Sequence, residues 1–237
     1  MALGILIPTT IFAIVAVVVA AVAFVGARWR SGEGVLVTFG TVLLAYFSLM
    51  SLVSFLVMAS GLTAGVKAGL TVPLGRGFSY WTPPRTRLAP AMPPGETGKP
   101  VDLKQQPVPQ EELDRQEREV GRQYQEDLLQ GATLAVIGGL VWAAHTVGRR
   151  RLSVVDPGAG AFFGKAYTTT ALAIFGVVGI IALPVGVYEA LRYVVIQPDE
   201  FSGRQPPGGT LAAALIFVPI WLYYLNAVVR RSQKESA

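Results

Sequence analysis

VLVTFGTVLLAYFSLMSLVSFLVMASGLTAG, residues 35–65, runs for thirty-one positions without Asp, Glu, Lys, Arg or His. A helix needs about 20 apolar residues to cross roughly 30 Å of hydrocarbon, so this stretch alone is long enough to span a bilayer. The first charge beyond it is Lys67, and a second span is placed over 35–70 on that ground. Working outward, comparable runs lie on both sides. The first span, within 1–30, is rich in Val and Ala and stops at Arg28, Trp29 and Arg30, an interfacial anchor. The start of the chain lacks the positive region of a signal peptide and its apolar run is long for one, so it reads as a retained span, with cleavage after Ala27 as the alternative.

Towards the C-terminus, a third span over 131–152 finishes on Arg149, Arg150 and Arg151. The fourth and fifth spans share residues 165–232. Pro184 and Pro219 lie inside them, predicting kinks, and the fifth closes on Arg230, Arg231 and Lys234. The expectation is an all-α integral membrane bundle of five transmembrane helices. Composition agrees, with 52% hydrophobic and only 15% charged residues among 237, where soluble domains carry about a quarter charged. The absence of cysteine excludes disulfides, thiolate metal sites and cysteine nucleophiles in one step.

Residues 71–130 interrupt the apolar pattern as an extracytoplasmic segment. Prolines at 73, 83, 84, 90, 93, 94, 100, 107 and 109 predict irregular or polyproline-like chain rather than helix or strand up to 109. From Glu111 the text turns to EELDRQEREVGRQYQEDLLQ, proline-free with acidic residues first, which predicts a solvated helix running into the third span.

The loops set the orientation. With the N-terminus outside and the C-terminus cytoplasmic, the cytoplasmic segments hold nine Lys and Arg against three acidic residues. The long connection holds nine of each sign. Short Arg- and Lys-rich loops stay inside, and long loops contribute little. These readings place the chain in a membrane with its C-terminus on the cytoplasmic side.

An internal repeat is also legible. AYFSLMSLVSFLVMASGLTAGVKAGL from Ala45 aligns with AYTTTALAIFGVVGIIALPVGVYEAL from Ala166, matching Tyr46 with Tyr167 and Gly65 with Gly186. GATLAVIGGLVWAAHTVGRRR resembles GGTLAAALIFVPIWLYYLNAVVRR. Spans two and three form one hairpin, and spans four and five its parallel copy. Tyr46 with Ser48–Leu52, and Trp142 with His145 before Arg149–Arg151, make the chain similar to a bacterial family of uncharacterised multi-pass membrane proteins with repeated two-span hairpins. That resemblance implies architecture over spans two to five and no activity; the proline-rich insertion departs from it.

Several constellations stand out, each with a plainer reading beside it. Gly61, Gly65 and Gly69 form a GxxxGxxxG run that lets a second helix approach closely, a packing device more often than a pore lining. Glu189 and Arg192 can pair along a helix as a relay, but their place in a last turn, where long side chains snorkel to the surface, favours a solvated pair. Phe78, Tyr80, Trp81 and Arg85 mix aromatic and guanidinium groups and are candidate partner contacts or headgroup anchors rather than a nucleic-acid surface. His145, the single histidine, has no second ligand at helical spacing, and Thr168–Thr170 can bond their own helix carbonyls. No cofactor, metal or catalytic motif is read. The expected partners are the lipid bilayer and other membrane subunits, in a non-catalytic accessory or scaffolding role. The alternative is a small transporter or channel.

Overall fold

The computed structural model describes residues 38–81, 86–88, 105–196 and 205–236; the first span and Arg85 lie outside them. Helix α1, Phe39–Gly69, starts at Thr38, whose Oγ1 accepts from the Thr41 amide at 3.2 Å. This satisfies one of the donors that every helix start leaves open. Two short helical turns follow, α2 (Thr71–Leu74) and α3 (Arg76–Ser79), hinged at Gly75 with φ 84, a left-handed conformation that glycine adopts without strain. Strand β1 (Thr86–Leu88) pairs antiparallel with β2 (Gln105–Pro107), Thr86 opposite Pro107. Helix α4 spans Gln110–Val155 as 46 unbroken residues, α5 spans Pro157–Val195, and α6 spans Gly208–Ser236.

Two expectations are corrected. Residues 71–109 are not uniformly irregular: the helical turns α2 and α3 and the strand pair occupy parts of that segment. Pro73 sits in the first turn of α2, where its missing amide costs nothing, and Pro107 ends a strand of a two-stranded sheet, where every strand is an edge. The stretch left between the third span at 152 and the fourth at 165 is also not a loop. Helix α4 runs through Arg149–Arg151 to Val155, and α5 begins at Pro157 rather than at 165. Asp156 alone separates them, its Oδ1 accepting from the Ala159 amide at 3.0 Å with proline at the first helical position. The charged helix and the third span are continuous, as the proline-free text predicts.

Among the described residues four helices are long and apolar enough to cross a membrane: Phe39–Leu74, Gln110–Val155, Pro157–Val195 and Gly208–Gln233. They mark a membrane-embedded, all-α bundle. Helices α1 and α4 form one closely packed pair and α5 and α6 another, with α1 joining the pairs. The shared core takes Leu52, Leu56 and Ala59 from α1, Tyr167, Ala171, Ile174 and Phe175 from α5, and Phe217 and Tyr224 from α6. Leu44, Ala159 and Phe163 form a second cluster nearer the basic end. The opposite face of α5 exposes Val177, Ile180, Ile181, Val187 and Leu191. Such a broad apolar surface suits lipid, where only packing, and not water exclusion, holds helices together.

Candidate functional site

Close backbone approach comes from glycines on both helices of the first pair. A Cβ placed on Gly131 would lie 2.7 Å from the Gly65 amide nitrogen and 3.0 Å from the Gly61 carbonyl oxygen. One on Gly138 would lie 2.7 Å from the Met58 nitrogen, and one on Gly61 would collide with the Ala135 nitrogen. Of the predicted run, Gly61 and Gly65 therefore sit at the crossing. Gly69 does not: it is exposed, with nothing within 4 Å of its own Cβ position. The partner glycines, Gly131 and Gly138, were legible only as another small-residue spacing, seven apart. In the second pair Gly186 faces the backbone of Thr210 and Leu211 at 3.1 Å, the position matched to Gly65 by the sequence alignment.

At the end of the bundle where the charged helix enters, Lys67 reaches Asp127 at 2.7 Å, both side chains largely buried at 28% and 23% exposure. The ammonium also lies 4.6 Å over the Tyr80 ring. Tyr80 packs edge-on to Tyr124, Phe78 packs edge-on to Tyr193, and the Ser79 hydroxyl donates to the Lys67 carbonyl at 2.8 Å. Burial, and then the negative charge of Asp127, pushes the Tyr80 phenol well above its ordinary value. Phe78 and Tyr80 are 5% and 2% exposed, which corrects their reading as partner contacts: they tie 76–80 down onto α4 and α5. Trp81 is 53% exposed and, with Pro109, Glu111, Arg115 and Glu119, lines an open cleft of about 980 Å³ along the charged part of α4. Arg115 and Glu111, and Arg122 and Glu126, pair along this solvated face at 2.9 and 3.0 Å.

Mid-bundle, rings from all four helices meet. Phe55 of α1 lies 5.5 Å from Trp142 of α4 and 5.1 Å from Phe175 of α5, while Phe175 stacks on Tyr224 of α6 at 6.0 Å and meets Phe217 at 5.6 Å. These contacts make one continuous aromatic plug between the long helices.

Below it lies a polar layer that sequence reasoning missed. The Arg149 guanidinium sits 4.0 Å over the Tyr167 ring, and the Tyr167 and Tyr224 hydroxyls share a 3.1 Å hydrogen bond. Arg231 donates to the Thr168 hydroxyl at 3.2 Å, and Thr168 in turn donates to the Gly164 carbonyl at 2.7 Å. Ser51 and Thr146 hydrogen bond across α1 and α4 at 3.0 Å. The available signals are the matched tyrosine that opens each repeat and the arginines that close spans three and five, residues whose plainer role is to set topology.

The other predicted residues stand apart. Arg192 is exposed and donates to Gln205 at 3.4 Å rather than to Glu189. His145 shares a 2.7 Å hydrogen bond with the Val141 carbonyl and packs between Tyr46 and Phe47, with ring centroids 5.8 and 5.6 Å away. Among the described residues no group of three His, Cys, Asp or Glu side chains converges as a metal site would require. No protein-family model, curated protein or solved structure matches the chain.

Proposed function

We propose that this protein is a non-catalytic accessory or scaffolding subunit of a larger complex in a bacterial cytoplasmic membrane. It has five spans, an outer N-terminus and a cytoplasmic C-terminus, and spans four and five repeat spans two and three. The observation that carries this reading is the contrast between a sealed interior and a projecting arm. Between the described helices the Phe55, Trp142, Phe175 and Tyr224 rings pack on one another at 5.1–6.0 Å, an apolar filling that favours helix packing over a hydrated path. Residues 110–123 instead continue α4 past the Tyr80–Tyr124 contact by about 20 Å at 1.5 Å per residue. A charged helix held rigid by its own span, flanked by a cleft with an exposed tryptophan, suits docking, because little ordering entropy is lost on contact.

Extraction from native membranes in mild detergent, with sizing and identification of what travels with the chain, tests this. Co-migration at fixed stoichiometry, lost on Trp81→Ala with Arg118→Glu, supports it. Migration alone as a monomer or small homo-oligomer refutes it and favours a small transporter. That second reading draws on the buried polar atoms without hydrogen bonds on Ser48, Trp142 and Arg149, and flux assays with Glu189 replaced would follow.

A further inference from the structure

The polar layer below the aromatic plug carries two cations and a surplus of donors. Helices α1 and α4 run antiparallel with Ser51 hydrogen-bonded to Thr146, so one turn further Ser48 comes level with Arg149. Both hold a buried polar atom with no hydrogen-bond partner among the described residues: the Ser48 Oγ, on a residue 6% exposed, and the Arg149 Nη1. A buried unsatisfied donor on a charged group costs more than a neutral one, and a serine oxygen at the same level leaves a second group unsatisfied. The two phenols add a further donor. In the Tyr167–Tyr224 hydrogen bond one hydroxyl proton is used and the other is left over.

Charge points the same way. Among the described residues the charged groups near Arg149 are the cations Arg150 and Arg231, and no carboxylate is among them. Asp156, the nearest acidic residue in sequence, is engaged as the cap of α5. Arg231 is exposed while Arg149 is half-buried, so the two guanidinium groups lead from the surface into the bundle between α4, α5 and α6. Among the described residues neither arginine faces a counter-charge, and two such cations at the membrane-surface end of a bundle favour a group of negative charge with several acceptor oxygens. The guanidinium fork matches phosphate oxygens geometrically.

We propose that this layer binds a phosphate group, held by Arg149 and Arg231 and hydrogen-bonded by the spare phenol proton of the Tyr167–Tyr224 pair and by Ser48. The chemistry fits the headgroup of an anionic phospholipid, for which basic pockets between helices at the membrane surface are suited. It fits a soluble phosphate equally.

The test uses the full chain purified in a neutral mild detergent. Retained lipid is measured by native mass spectrometry, and thermal unfolding is followed with added phosphatidylglycerol, phosphatidylcholine or inorganic phosphate. Wild type is expected to retain phosphatidylglycerol over phosphatidylcholine and to be stabilised by it. Loss of one charge-assisted contact in Arg149→Gln or Arg231→Gln weakens retention about tenfold each. The neighbours give the control: Arg150→Gln and Arg151→Gln, which unlike Arg231 make no hydrogen bond into the layer among the described residues, leave retention within about twofold. Stabilisation by inorganic phosphate but not by the lipid, with the same dependence on Arg149 and Arg231, assigns the site to a soluble phosphate. Equal losses for Arg150→Gln and Arg231→Gln, or no stabilisation by either phosphate source, overturn the proposal. Arg231 is exposed, so its variant folds and keeps the test decisive should Arg149→Gln fail to assemble.

Discussion

Replacing Gly131 with alanine tests whether backbone contact between α1 and α4 holds the first pair together. The new Cβ would lie 2.7 Å from the Gly65 nitrogen and 3.1 Å from the Gly65 Cα, inside the 3.4–4 Å of ordinary contact. Both obstructing atoms are backbone, so no rotamer relieves the clash and the helices must part by about 0.5–1 Å. A gap of that size forfeits roughly a quarter to a half of each contact energy along the crossing. Overpacking of this kind costs about 1–3 kcal/mol, partly offset by the roughly 1 kcal/mol that alanine gains over glycine in a helix. Gly131→Ala should thus lose about 1–2 kcal/mol. Gly69→Ala, with open space around its Cβ position, should lose nothing and gain up to about 1 kcal/mol. Gly65→Ala sorts with Gly69, since its own Cβ position is also free within 4 Å, although Gly131 presses on its backbone. Reversible unfolding in mixed micelles titrated with dodecyl sulfate, followed by helicity, reads these differences. The reasoning is refuted if Gly131→Ala is as stable as wild type, or if Gly69→Ala is destabilised as much as Gly131→Ala.

Removing one partner of the Lys67–Asp127 pair, as Lys67→Met or Asp127→Asn, should cost about 1–3 kcal/mol because both groups are three-quarters buried, and a double-mutant cycle in the same micelles should show coupling. The Tyr80 phenol has its folded value raised, so its contribution is intact below the unfolded value of about 10 and is lost as pH rises above it. Alkaline titration followed by phenolate absorbance should show, in Tyr80→Phe, one fewer tyrosine that ionises only with unfolding than in wild type. Phe175→Ala, which opens the aromatic plug, should cost about 3–5 kcal/mol, measured by the same unfolding. If leakage assays in vesicles then register passage of small ions, the plug is what seals the axis.

Much of the architecture was legible because the bilayer is a one-dimensional filter. Run lengths of apolar text locate α1, α5 and α6, and the acidic start and proline-free course of residues 111–130 predict the helix that α4 continues into the membrane. Boundaries were less legible where a cap decided them. The Asp156–Pro157 junction joins two helices through one residue, and basic residues near it read as a loop although arginine is a good helix former. The proline count between 71 and 109 likewise hid helical turns, because proline is harmless in a first turn.

The sequence by itself determined that the chain lies in a membrane, since no soluble fold of this size buries four such helices. It also determined where close approach was available, since only glycine spacing shows that. The tertiary structure decided which glycines are used, and Gly69 falls off the crossing, its Cβ position facing open space. It decided as well that Phe78 and Tyr80 turn inward onto the bundle, and that Arg149, Tyr167, Tyr224 and Arg231 share one layer. Those four residues span 83 positions in the sequence, and only helix packing, which acts through space and not along the chain, brings them together.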